Sequence, residues 1–424
     1  MSITTTSRRV LTRVGVVAML TSALAAASGG VASAQQSPTF TIGALFDLSG
    51  DGRTLGEAGK AALEVAADDI ERRSEGVTIE LDVRDTGQDP AKAVEEFQSL
   101  VDDGVRIIIG PQTSSEARAI VEAGLDQSGA ILVSNGSTAS LLSQPDDALI
   151  RLVPDDRIEG AASADLILEQ GADTVVVTHR EDPGNDGLAS STTAAITAQG
   201  GTAVAGPTYP PDSTDAAGVA TALSASVSDA GRYPAVYLAG FAEVADILAA
   251  AADQPALEGL RFYGADGSAK SESIIDDSAA AEFAAGAGGF ISPLLTVPAD
   301  AAREGRKTIR QIERRSGQPA DAFSLAAYDA LWIARDAIES AGASAEGAAL
   351  RDAYVAAAQG FDGLTGKIEL NAADDRATGT FAYWAVCKTG RGYTWKTVGT
   401  WEPPSSQGAP GTVSVTSCKK ATTD

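Results

Sequence analysis

The fold is decided by FTIGALFDLSGDGRTLGEAGKAALEVAADDIERR, residues 40–73. Phe40–Phe46 is a short apolar run of the kind a parallel strand shows when helices cover both faces of its sheet. Gly50 and Gly52 then break the run, and Thr54…Glu57 has the spacing of a capping box. From there to Arg73, Ala58, Ala61, Ala62, Val65, Ala66 and Ile70 recur at helical intervals. Strand, glycine turn, helix is the unit of a βα fold.

Outward from this stretch the unit repeats. Val77–Val83 reads as a strand, Asp89-Pro90 opens a helix, and Val105–Ile109 is a third strand ended by Gly110-Pro111. Thr113…Glu116 has capping-box spacing and opens a helix to about Leu125, and strand Ala130–Ser134 follows. After Val153-Pro154 the alternation restarts. Helices Ile158–Glu169, Gly187–Ala198, Ala216–Ser228 and Ala242–Ala252 alternate with strands Thr174–Val177, Ala203–Ala205, Ala235–Leu238 and Leu260–Tyr263. Such alternation predicts an α/β fold with two parallel-sheet lobes. The remainder, Gly289–Pro293, helices Ala299–Arg315 and Ala326–Ala341, Phe361–Leu370 and a Tyr383–Val398 hairpin, does not read as a third domain. The resemblance given below, and not the pattern, implies that the first three are additions to the first lobe and the last two to the second.

The chain begins with an address. Arg8, Arg9 and Arg13 precede an apolar run from Val14 to Ala27, and Ala32-Ser33-Ala34 supplies a cleavage pattern before Gln35. Residues 1–34 therefore read as a signal peptide, with Ser7-Arg8-Arg9 leaving both the general and the twin-arginine route open. No cysteine lies in or after the apolar run for lipid attachment, so the expectation is an exported protein, periplasmic or extracellular, not inserted in the membrane after cleavage. Removing three arginines and no carboxylate takes the formal charge from −25 to −28 over 424 − 34 = 390 residues. That much negative charge repels phosphate backbones and argues against nucleic-acid binding. Cys387 and Cys418 are the sole cysteines. In an oxidising compartment they are expected to pair, at roughly 3–4 kcal/mol from loop entropy, stapling the 402–424 tail.

Three loops run from a strand end to a helix start: Ser49–Thr54, Gln112–Ser115 and Asn135–Thr138. Ligands of open α/β sheets bind beyond the carboxyl ends of the strands, where unpaired N–H groups gather. Ser114, Ser115, Ser137 and Thr138 would add hydroxyls for a carboxylate, or else serve only as caps. Asp266, just past a strand, would pair with an ammonium or close an Asx-turn before Gly267; Phe241 and Phe323 would wall an apolar side chain or belong to the core.

Catalysis lacks its parts. His179 is the sole histidine, which excludes multi-histidine metal sites, and there is no Gly-x-Ser-x-Gly elbow. Gly50–Gly56 departs from the dinucleotide fingerprint by one residue, and Gly360…Gly366-Lys367 has one residue too many for a phosphate loop. Asp68-Asp69 and Asp102-Asp103 fall on helix faces expected to be exposed. No cofactor is called for.

In order and spacing, Ile42–Gly50, Gly56–Ala62, Asp89–Val94, Ile109–Ser115, Tyr237–Phe241 and Ala327–Leu331 resemble the type I periplasmic binding proteins of the leucine/isoleucine/valine-binding branch. The resemblance runs from about Phe40 to Val386. It implies two Rossmann-like lobes joined by three crossovers, with 38–154 plus 292–362 forming the first and 155–291 plus 363–401 the second. It also implies a monomer that closes on an amino acid and presents it to an ABC transporter permease. Ser114 falls on the family's carboxylate-holding serine, Gly136 and Thr138 on its backbone-and-hydroxyl pair, Asp266 on its ammonium partner, and Leu55, Phe241 and Phe323 on its wall. Leu55 replaces a common tyrosine, and Gly184 stands where an aromatic is usual. Those departures leave a branched-chain or other apolar amino acid, an amide or an aromatic acid as candidate ligands. A ligand-sensing receptor of the same fold is the other class.

Overall fold

The computed structural model describes residues 39–49, 52–73, 78–211, 214–231, 234–286, 288–342, 344–404 and 410–419. The expected signal peptide, Gly50 and Asp51 lie outside the described residues.

The first lobe begins with β1 (Thr39–Phe46), α1 (Arg53–Arg73), β2 (Thr78–Asp85), α2 (Pro90–Asp102), β3 (Ile107–Ile109), α3 (Ser114–Glu122), β4 (Ile131–Ser134) and β5 (Leu149–Arg151). Its five strands are all parallel in the order β2-β1-β3-β4-β5. Every residue of β3 and β4 is buried, as a sheet covered on both faces requires. The helix from residue 53 starts on the Gly52 carbonyl, which accepts from Leu55 and Gly56, so Thr54 lies inside α1 and caps nothing. Gly56 lets the helix sit directly on β1: a Cβ there would fall 1.7 Å from the Asp47 carbonyl oxygen. The caps expected at Asp89 and Thr113 are present, and α3 stops three residues earlier than its pattern suggests.

The second lobe runs through α4 (Asp156–Glu169), β6 (Thr174–Arg180), α5 (Pro183–Ala198), β7 (Thr202–Tyr209), α6 (Ala216–Asp229), β8 (Pro234–Ala239), α7 (Val244–Ala251), β9 (Arg261–Gly264), α8 (Glu272–Asp276), α9 (Ser278–Ala284) and β10 (Phe290–Thr296). Its parallel strands repeat the order of the first lobe, β7-β6-β8-β9-β10. The placement of Gly289–Pro293 in the first lobe is corrected here, since β10 pairs with β9 in the second sheet. Likewise α5 starts at Pro183, four residues ahead of the expected Gly187, because Asp182 accepts from the Gly184 and Asn185 amides and so caps it.

The chain then returns to the first lobe as α10 (Ala299–Ser316), α11 (Ala322–Ala341) and α12 (Gly347–Ala358). α10 and α11 both pack on α1, where the Tyr328 hydroxyl donates to Asp69 Oδ2 at 2.8 Å and Arg315 Nη2 meets Asp68 Oδ2 at 2.6 Å. Asp69 is thus buried rather than exposed. Phe361–Leu370 does not join the second sheet as expected; it holds β11 (Asp362–Gly363) and β12 (Gly366–Lys367), a two-stranded hairpin of their own. Asp329 of α11 holds that hairpin, accepting from the Leu364 and Thr365 amides at 2.7 and 2.9 Å and from the Thr365 hydroxyl at 2.6 Å. Asp329→Ala should therefore cost about 1–3 kcal/mol in urea unfolding, because it orphans buried donors. A loss below 0.5 kcal/mol, roughly the scatter of a surface change, would remove this role.

A third crossing leads to β13 (Thr380–Thr389), β14 (Gly392–Glu402) and β15 (Thr412–Val415), which extend the second sheet antiparallel beyond β10. Cys387 and Cys418 are disulfide-bonded, with Cα atoms 5.6 Å apart. Asp165 of α4 adds a polar anchor for the tail, accepting from Trp401 Nε1 and the Gly411 amide, each at 2.7 Å. Among the described residues no helix is long and apolar enough to cross a membrane.

Candidate functional site

The carboxyl ends of β3 and β4 meet in a web of serines. The Ser134 hydroxyl donates to the Pro111 carbonyl at 2.7 Å and accepts from the Ser137 amide at 2.9 Å and the Ser137 hydroxyl at 2.7 Å. Ser114, at the start of α3, accepts from the Thr138 and Ala139 amides at 3.2 and 3.1 Å. Beneath this loop lies the buried guanidinium of Arg151, which donates to the Ser137 and Ala139 carbonyls and makes a bidentate pair with Asp375 at 2.5 and 2.7 Å. The Asn135 side-chain amide donates to the Phe323 carbonyl, fixing α11 against the same loop. The loop is thus held by Ser114, Ser134, Arg151 and, through Asn135, by α11.

From the second lobe, the first turn of α4 faces this loop. The Asp156 amide donates to the Thr138 carbonyl at 2.9 Å. Glu159, one helical turn on, accepts from the Asp266 amide at 2.9 Å and so joins the start of α4 to the loop after β9. A small cavity results, lined by Thr138, Asp155, Asp156, Glu159, Asp266, Pro154, Leu295, Phe323 and Phe381. The lobes also touch above it, where the Ser140 and Ser191 hydroxyls are 3.3 Å apart. A Cβ on Gly184 would stand 3.9 Å from the Ser114 hydroxyl. The missing aromatic of that position thus leaves the α5 N-terminus close over Ser114.

The expected site residues divide. Thr138, Phe323 and Asp266 come together in the cavity. Ser114 stands one hydrogen bond behind Thr138, while Ser137 is fully buried with its hydroxyl engaged by Ser134 and does not line the cavity. Ser115 and Gly136 are half-buried nearby, and Gly136 packs against the Gln112 backbone. Leu55 is 43% exposed at the rim. Phe241 lies under the Arg180 guanidinium, 5.0 Å from its ring centroid, and packs over Gly267. His179, next to last in β6, has Nε2 3.7 Å from Asp186 Oδ1, and burial holds its pKa below the ordinary value.

Asp156 and Glu159 were not legible as site residues. Two carboxylates in the first turn of a helix are what the helix dipole favours, so they read as ordinary start signals. The available clue was their spacing: Asp156, Glu159, Ser163 and Leu166 lie along one line of α4, a helix buried over most of its circumference. The electrostatics follow from that burial. Burial pushes the Asp156 carboxyl up to about 8, the Thr138 hydroxyl pulling it back and the charge of Asp266 adding to the rise. Glu159 is raised by burial and then by Asp266, and burial brings Asp266 to about 6 against the pull of the Gly267 amide.

Comparison with known proteins places this geometry. The family model for periplasmic binding proteins matches residues 39–391. The Leu/Ile/Val-binding protein BraC3 of Rhizobium johnstonii is 26% identical over 320 residues, covering 74% of this chain and 82% of that protein. The branched-chain amino acid substrate-binding protein LivJ of Streptococcus pneumoniae, solved with isoleucine, has a similar fold at TM-score 0.67 and 22% identity, over 85% of this chain and 99% of that one. A solute-binding protein of R. palustris, solved with 4-hydroxybenzoate, superposes at TM-score 0.70 and 17% identity, over 86% and 97%.

Proposed function

Because the chain belongs to the periplasmic binding protein family, we propose that it is the solute-binding component of an ABC uptake system, taking an amino acid between its lobes without transforming it. The family is exported, and the signal-like pattern of residues 1–34 supports the same reading. The lobes divide where the sheets do, near residues 152, 297 and 377. The observation that carries the reading is the meeting of Thr138 from the first lobe with Asp266 from the second in one cavity. Thr138, backed by Ser114 and Gly136, meets the ligand's carboxylate and amino group on the first lobe, and Asp266 joins the ammonium from the second. Ligand that bridges both lobes favours the closed form, which the permease then recognises. The aromatic-acid alternative, suggested by the R. palustris neighbour, brings a carboxylate without an ammonium toward four acidic side chains and is the weaker reading for that reason.

Thr138→Ala and Asp266→Ala should each weaken a confirmed amino-acid ligand about 10- to 100-fold in calorimetric titration, the equivalent of one charge-assisted hydrogen bond at roughly 1.5–3 kcal/mol. Unchanged affinity in both variants would remove the assignment.

A further inference from the structure

α10 carries six cations, Arg303, Arg306, Lys307, Arg310, Arg314 and Arg315, against three carboxylates, in a chain whose formal charge is −25. Of these, Arg315 is ion-paired, to Asp68 and Glu64 of α1. The other five are exposed, and among the described residues none of them makes an ion pair. At 3.6 residues per turn they occupy a stripe about 100° wide and about 16 Å long, directly opposite the buried Ile312. Asp300 and Glu304 face the groove beside β11 and β12 instead, and Glu313 stands at the edge of the stripe without an ion pair.

Such a stripe works against the helix that carries it. Arg303 with Lys307, Arg306 with Arg310 and Arg310 with Arg314 are like charges four residues apart, an arrangement that repels. Elsewhere the chain sets opposite charges at that spacing, as in Arg53–Glu57 and Lys60–Glu64 of α1 and Arg118–Glu122 of α3. The helix dipole accounts for Arg314 and Arg315 in the last turn and for none of the others. Repulsion of this kind is relieved by negative charge from outside the molecule. No aromatic or large apolar side chain interrupts the stripe, whereas the centre of a protein interface is poor in charge and rich in aromatics. Cations alone suit a surface of uniform negative charge. We infer that α10 is a membrane-docking face, its five unpaired cations resting on anionic lipid headgroups without insertion. This rests on the uptake reading, which puts the protein beside a membrane. The stripe belongs to the first lobe, so docking leaves the second lobe free to move.

The test is co-sedimentation of the protein, purified after export, with vesicles of phosphatidylglycerol and phosphatidylcholine in equal parts and with vesicles of phosphatidylcholine alone. The expected result is binding to the anionic vesicles only, at about 20 mM salt, and release at about 0.5 M, where screening acts within a few ångströms. Arg306→Gln, Lys307→Gln and Arg310→Gln combined should weaken that binding about tenfold or more. Lys388→Gln, Arg391→Gln and Lys419→Gln combined remove the same charge from exposed positions elsewhere and should leave it unchanged. All of these side chains are exposed, so both variants should fold. Absence of binding to the anionic vesicles, or equal loss in both variants, would overturn the inference; no solute is present, so the ligand reading would stand. Stripe-dependent retention on membranes carrying the permease, with bare vesicles ignored, would overturn lipid as the partner and give the stripe to an acidic protein face.

Discussion

Replacing Asp375 by alanine is expected to cost about 3–5 kcal/mol of folding stability, the range for breaking one side of a buried ion pair. Arg151 is 0% and Asp375 1% exposed, so the abandoned guanidinium would have no water to turn to. Two hydrogen bonds to Asp375 would be lost at once, together with that from the Ser143 hydroxyl at 2.6 Å. The damage should reach ligand binding too, because the same guanidinium supports the Ser137 and Ala139 carbonyls on either side of Thr138. Urea unfolding measures the first effect and titration on the surviving folded fraction the second. Replacing both partners with leucine should recover part of the stability, since a well-packed apolar pair avoids the stranded charge. An Asp375→Ala midpoint close to that of the unaltered protein would mean the pair is not buried in solution.

Ligand-free protein should lose stability as pH rises from about 4 to 8. The folded-state pKa of Asp156 is about 8 against 3.8 for the unperturbed group. Its contribution is therefore complete below pH 4 and lost progressively as pH rises to its folded value. At about 1.4 kcal/mol per pH unit between the two values, Asp156 alone sets a loss on the order of 5 kcal/mol. Asp266 and Asp329, both raised to about 6 by burial, and Asp147, raised by burial to about 7, act in the same direction. His179, lowered by burial, contributes stability that grows as pH rises toward its ordinary value of 6.5 and offsets a little of this. Asp82, held low by its bond to Arg84, matters only below about pH 4, where its contribution is lost on acidification. Thermal unfolding at pH 5 and pH 8 checks the prediction. Asp156→Asn should flatten the slope and be more stable than the unaltered protein at pH 8. A midpoint that is level or rises toward pH 8 would contradict the burial of the cluster.

The alternation of strands and helices was legible because parallel strands buried on both faces are written as unbroken apolar runs, such as Ile107–Ile109. β5 escaped because it is three residues long and ends in a buried arginine, which reads as a surface residue. β10 was seen as a strand but given to the wrong lobe: nothing local in Phe290–Thr296 tells that its partner is β13, some 90 residues later. The disulfide needed only two cysteines and a compartment. At the site, Thr138 and Asp266 were legible from their places past strand ends, whereas Ser137 and Thr138 are adjacent hydroxyls that only tertiary packing separates into a support and a cavity wall. Asp156 and Glu159 were hidden by resembling helix-start residues.

The third crossing does not simply span a gap. Before it reaches β13 it runs alongside β5, with the Arg151 amide donating to the Asp374 carbonyl and the Arg376 amide to the Arg151 carbonyl. Residues 374–376 are thereby clamped to one sheet and those from Thr380 to the other, leaving 377–379 between the grips. The other links are comparably short, at 153–155 and 297–298, and all three converge on the cavities beside Leu295. Three stiff, closely set flexures resist sliding and torsion alike and leave a single compliant axis. Any opening of the two halves is thereby confined to the motion of tweezers about their joint.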